Sequence, residues 1–109
     1  MKELYNMTLM NTRYKITRLD DAGNPLLTLE ECQQFFAKQP DFEYSDAFRA
    51  TQDGVQMKID GHFFMWHVDE VQIPFRFFAG EVYVAISHPA IFDKMVDVAR
   101  KLEAVYVEG

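Results

Sequence analysis

The residues able to do chemistry are three histidines, one cysteine and a scatter of carboxylates, and their spacing decides what they can do. His62 and His67 stand five apart in a run of strand-forming residues. An odd separation on a strand sends two side chains to opposite faces, so these rings do not make a metal-ligand pair. His67 and Asp69 share a parity, which suits a carboxylate orienting an imidazole. A hydrogen-bonded histidine at a strand end accounts for the same two residues. Cys32 lies on the apolar stripe of a helix, where a thiol serves as a small core side chain rather than a nucleophile. The five glycines stand singly, so no phosphate-cradling loop is present, and neither Ser45 nor Ser87 sits in a nucleophile elbow. No catalytic residue, no metal ligand and no cofactor is therefore expected.

The elements that must position these residues centre on Gly54 to Ser87. The runs Val55 to Ile59, His62 to Val68, Val71 to Phe78 and Glu81 to Ile86 are rich in aromatic and β-branched residues, which fit a pleated, half-buried surface. Asp60-Gly61, Asp69-Glu70 and Ala79-Gly80 punctuate them as turns, Asp-Gly being the strongest short hairpin signal. Phe64, Trp66 and Val68 oppose Phe63, Met65 and His67, so both faces of that strand are apolar. Pro74 cannot donate a ladder bond and belongs at a bulge or facing an edge.

Ahead of the meander, Thr12 to Leu19 alternates as a strand and Asp20 to Pro25 is dense in turn formers. Thr28-Leu29-Glu30-Glu31 matches a capping box opening a helix that Pro40 stops near Gln39, with Leu29, Cys32 and Phe36 as its buried stripe. Asp41 to Gln52 suits a strand feeding the meander. Ser87-His88-Pro89 starts a second helix, capped by Ser87 or His88, with the stripe Ile91, Met95, Val98 and Leu102. Ala104 to Val107 reads as a short last strand. Leu4 to Met10 fits a strand, a helical turn or a loose arm. The expected fold is α+β: an antiparallel meander of about five to six strands with two helices on one face, in the order β-α-β-β-β-β-β-α-β. Two short helices cover one side of such a sheet, so something else, a second copy included, should meet the other.

At 109 residues, 49% of them hydrophobic, the chain suits one globular domain, residues 1–109, with a single core. A lone cysteine, no apolar leader in the first residues and no run of about 20 apolar residues point to a soluble protein of a reducing cytoplasm. The formal net charge of −6 disfavours nucleic acid and anionic membranes as partners. That charge is uneven: residues 1–18 carry +3, residues 19–53 carry −6 and residues 54–109 carry −3.

The acidic-aromatic run Asp41, Phe42, Glu43, Tyr44, Ser45 and Asp46 is unusual for the solvent face of a strand. It points to protein binding: a small acidic module docking a basic protein through Asp41, Glu43, Tyr44 and Asp46, with Asp20, Asp21, Glu30 and Glu31 supplying steering charge. Immunity proteins, inhibitors and acidic secretion chaperones share this physical profile. The competing expectation is a homodimer, joined through its apolar sheet face, that binds a small ligand or catalyses weakly in a pocket near Trp66 and His67.

Overall fold

Two of the three turns that reverse the sheet are possible only because their first residue tolerates a left-handed backbone beside glycine. Asp53-Gly54 has φ values of 53° and 78°, and Ala79-Gly80 has 51° and 82°. The computed structural model describes residues 12–109; the reading made for Leu4 to Met10 lies outside the described residues. The elements are β1 (Thr12–Thr17), α1 (Leu29–Ala37), β2 (Phe42–Gln52), β3 (Val55–Val68), β4 (Val71–Phe78), β5 (Glu81–Ile86), α2 (Pro89–Lys101) and β6 (Val105–Glu108). All six strands join one antiparallel sheet in the order β2-β3-β4-β5-β1-β6. The fold is α+β, with both helices on one face.

Asp60-Gly61 is not a turn. Val55 to Ile59 and His62 to Val68 form one strand, β3, because Asp53-Gly54 has already reversed the chain and paired Val55 with Gln52. Between Ser45 and Ala47 the β2–β3 register slips by one residue, and Gly61 absorbs the slip with a φ of 159°. A Cβ on Gly61 would lie 3.2 Å from the Phe63 ring and 3.4 Å from the Arg76 guanidinium. Beyond the slip, β2 and β3 pair only with each other among the described residues, since β4 reaches no farther along β3 than His62. The result is a two-stranded arm whose Val55, Met57 and Ile59 are exposed.

The core lies between the sheet and the helices. Cys32 and Phe36 of α1, with Ile91, Met95, Val98 and Ala99 of α2, meet Ile16, Phe42, Phe64, Trp66, Phe75, Val82, Val84 and Ile86 of the sheet. Their periodicities explain this, being 3.6 residues on the helices and 2 on the strands. Thr28 caps α1 by accepting from Glu31 N–H at 3.1 Å, but the other half of the expected capping box is missing. The Glu31 carboxylate instead takes Arg18 Nη2 at 2.7 Å, and Arg18 Nη1 donates to Leu102 O at 2.7 Å. One arginine thus ties the start of α1 to the end of α2. At the other helix start, His88 Nδ1 accepts from Ala90 N–H at 3.0 Å, with Pro89 in the first turn.

The opposite face carries Arg13, Lys15, Phe63, Met65, His67, Arg76, Phe78 and Tyr83, and no described helix packs on it. No described helix is long and apolar enough to cross a membrane. The β4–β5 turn is seated tightly: a Cβ on Gly80 would lie 2.9 Å from Pro25 Cβ, at a φ of +82°. Gly80→Ala is therefore expected to lower stability by about 1–3 kcal/mol in urea titration, from strain and from lost seating of the Pro25 loop. An unchanged midpoint would show the turn to be free of the loop.

Candidate functional site

Of the residues singled out by type, Asp41 is the most engaged. One oxygen, Oδ2, accepts Trp66 Nε1 at 3.0 Å and pairs with Lys94 Nζ at 2.7 Å. The Lys94 ammonium also sits over the Phe42 and Trp66 rings, 5.5 and 5.6 Å from their centroids. Asp41 thus joins the start of β2, the end of β3 and the face of α2. Partial burial pushes its carboxyl up, but the hydrogen bonds from Lys94 and Trp66 outweigh this and hold it below its ordinary value.

The next residues lie on β2, the first strand of the sheet and hence an edge. Glu43 Oε1 is 3.1 Å from His67 Nε2, across the strand pair on the open face. Tyr44 Oη is 2.7 Å from His62 Nδ1 and its ring stacks beside that imidazole, at 6.0 Å between centroids. Asp46 is exposed and has no partner among the described residues. Ser45 bonds the main chain of Ala47, accepting from its N–H and donating to its oxygen, which holds the strand at the register slip. Phe48 carries apolar surface onto the arm, its ring 5.7 Å from that of Phe63.

The remaining acids are elsewhere. Asp20 closes its own turn by accepting from the N–H groups of Ala22 and Asn24, at 2.9 and 2.8 Å, and the Asn24 bond leads in lowering its pKa. Asp21 and Glu30 are exposed, and Glu31 is the partner of Arg18. The loop holding Asp20 and Asp21 follows β1, four inter-strand spacings from β2, or about 19 Å. The structure therefore divides the eight sequence-selected residues among the β2 edge, the loop after β1 and the first turn of α1.

Trp66 and His67 lie on opposite faces, Trp66 in the core and His67 beside Glu43. A cavity of about 390 Å³ does open beside Trp66, bounded by Val68, Ile73, His88 and Ile91. The imidazole in it is His88. Sequence spacing named the strand neighbour, whereas the sheet–helix packing brought a residue 22 positions away. Among the described residues no cluster of His, Cys, Asp or Glu has the geometry to hold a metal ion. The same reading of the sequence passed over Lys94 and Arg18, whose roles depend on contacts between elements distant along the chain.

No protein-family model, curated protein or solved structure matches the chain.

Two outcomes test this electrostatic frame. Because the folded-state pKa of Asp41 is depressed, its contribution to stability is present above the ordinary carboxylate range and lost as pH falls through the lowered value. Asp41→Asn should cost about 1–2 kcal/mol at neutral pH and show a shallower loss of stability between about pH 5 and pH 2 than the wild type. Parallel pH–stability curves for the two proteins would remove Asp41 from this role. Cys32 is fully buried, and burial, with the Glu31 charge, pushes its thiol up to about 12. The native protein should react with a thiol-specific disulfide reagent only on the timescale of unfolding, and fast native reaction would place Cys32 at an accessible site.

Proposed function

We propose that the protein is a non-catalytic binding module that docks a basic protein partner along the β2 edge, in an immunity, inhibitor or chaperone-type role. One observation carries this reading. An eleven-residue strand presents main-chain groups with no neighbour on its outer side among the described residues, together with Glu43, Tyr44 and Asp46. Natural edge strands are commonly covered or blocked by bulges, prolines or inward-turned charges, and an uncovered one is a ready place for strand addition. Glu43 and Asp46 supply the charge that would draw a basic segment there. Tyr44 and the apolar arm around Val55 and Met57 supply contact area.

Asp41 positions this edge rather than touching the partner, since its carboxylate is held by Trp66 and Lys94. Asp21, in the loop about 19 Å across the sheet, and Glu30, at the start of α1, contribute steering charge rather than contacts. A second reading, a small apolar ligand beside Trp66, draws its support from the cavity that Trp66, Ile73 and Ile91 bound.

The test compares two baits in the same native extract: the tagged protein and its Glu43→Lys/Asp46→Lys variant, each washed at low and high salt. A basic protein held by the wild type at low salt, released at high salt and retained at least about tenfold less by the variant is the expected result. Identical retained proteins on both baits would exclude the β2 edge as the docking surface.

A further inference from the structure

The β4–β5 ladder stops at Arg76↔Tyr83, in the interior of the sheet. Each strand continues on its other side, β4 along β3 to Val71 and β5 along β1 to Ile86. Pro74, two residues past the last pair, has no N–H to offer β5, which is why the two strands part there. The split leaves a cavity of about 380 Å³ on the open face of the sheet, in the size range of small-molecule sites.

Its wall is unlike the rest of this acidic protein. Two guanidinium groups, Arg13 and Arg76, stand among Phe63, Pro74, Phe78 and Tyr83, and no acidic side chain among the described residues lines it. The Arg76 guanidinium carbon lies 5.4 Å from the Phe63 ring centroid and 5.2 Å from that of Phe78. Its Nε is shut off from solvent and has no hydrogen-bond partner among the described residues. Arg13 lies 5.4 Å over the Tyr83 ring and donates Nε to Gly109 O at 2.8 Å. Arg76 has no ion-pair partner among the described residues, and Arg13 meets only the Gly109 oxygen. Glu81, which touches the wall through Tyr83 Oη at 3.2 Å, already takes Lys15 Nζ at 3.3 Å. The ring contacts steady the positive charge of Arg76 but give its N–H groups no acceptor. Two guanidiniums with N–H groups left without an acceptor among the described residues stand in one cavity, and they call for an anion.

We propose that this cleft is a binding site for a small flat organic anion: a carboxylate, sulfonate or phosphate monoester joined to an aromatic body. The anionic oxygens accept from Arg13 and Arg76, whose forked donors match such groups. The flat body lies against Pro74 and the aromatic rings. Because the net charge of −6 repels anions at long range, selectivity here comes from contact rather than steering.

Two fluorescent dyes sharing a naphthylamine ring system test this, 8-anilinonaphthalene-1-sulfonate and its uncharged counterpart N-phenyl-1-naphthylamine. Each is titrated into the wild type, Arg13→Met and Arg76→Met, with thermal unfolding followed for all three. The sulfonate should saturate a single site on the wild type and bind at least about tenfold more weakly to each variant, while the neutral dye binds all three alike. Arg13 is exposed, so its variant keeps the test valid if Arg76→Met is poorly folded. No saturable sulfonate binding, equal binding to the variants, or equal weakening of both dyes would overturn the proposal; the last marks the cleft as an apolar patch only.

Discussion

The fold depends on the ring of Phe36. Helix α1 has only nine residues, too few to persist alone in water, so tertiary contact must hold it. Phe36 stacks on Phe64 at 4.3 Å and meets Phe42 at 4.6 Å and Phe75 at 6.5 Å, touching β2, β3 and β4 with one side chain. Phe42 in turn meets Phe75 edge-on at 5.2 Å. This aromatic cluster clamps the outer three strands under α1, while α2 covers β5 and β1 through Ile91, Met95 and Val98. The division of labour leaves one face of the sheet without a described helix, and the functional candidates follow from that asymmetry.

Charge is used inside the molecule before it is offered outside. Arg18, Lys94 and Lys15 each take an acid that sequence reading counts as surface charge or leaves unassigned, namely Glu31, Asp41 and Glu81. Glu81 is almost wholly buried; burial raises its pKa, yet hydrogen bonds that include those from Lys15 and Tyr83 bring it below the ordinary value. A paired carboxylate contributes little to steering a partner, so the acidity effective at the surface is smaller and more localised than the net charge suggests. Asp46, and Glu43 with its contact to His67, remain on the β2 edge, whose outer main-chain groups have no partner among the described residues. On the open face the balance reverses, and two arginines gather where the β4–β5 ladder fails.

Which features were legible can be seen element by element. Helix α2 was readable throughout, because its stripe repeats for three turns and Pro89 can stand only in the first. The strand β2 was readable from its neighbours more than from itself. The Asp-Gly signal was ambiguous, since Asp53-Gly54 and Asp60-Gly61 are the same local chemistry. Only the cross-strand register, which puts Phe42 opposite Trp66 and Tyr44 opposite Phe64, makes one a turn and the other a strand irregularity. Of the candidate site, the acidic-aromatic run could be located in sequence, but not the fact that Asp41 is internally bound while Asp46 has no partner among the described residues.

What the amino-acid sequence determines by itself is local: the period of each element, the places where the helices start, the apolar strand faces and the total charge. These depend on residues within a few positions of one another, so the chain carries them wherever it goes. What only the tertiary structure decided is which strand became the edge, which acids found cations, that Trp66 faces His88 rather than His67, and that β4 and β5 part beyond Arg76. Each of these is a pairing between residues far apart in the chain. Such pairings are chosen by the competition of whole faces for burial, a quantity that no single stretch of sequence contains.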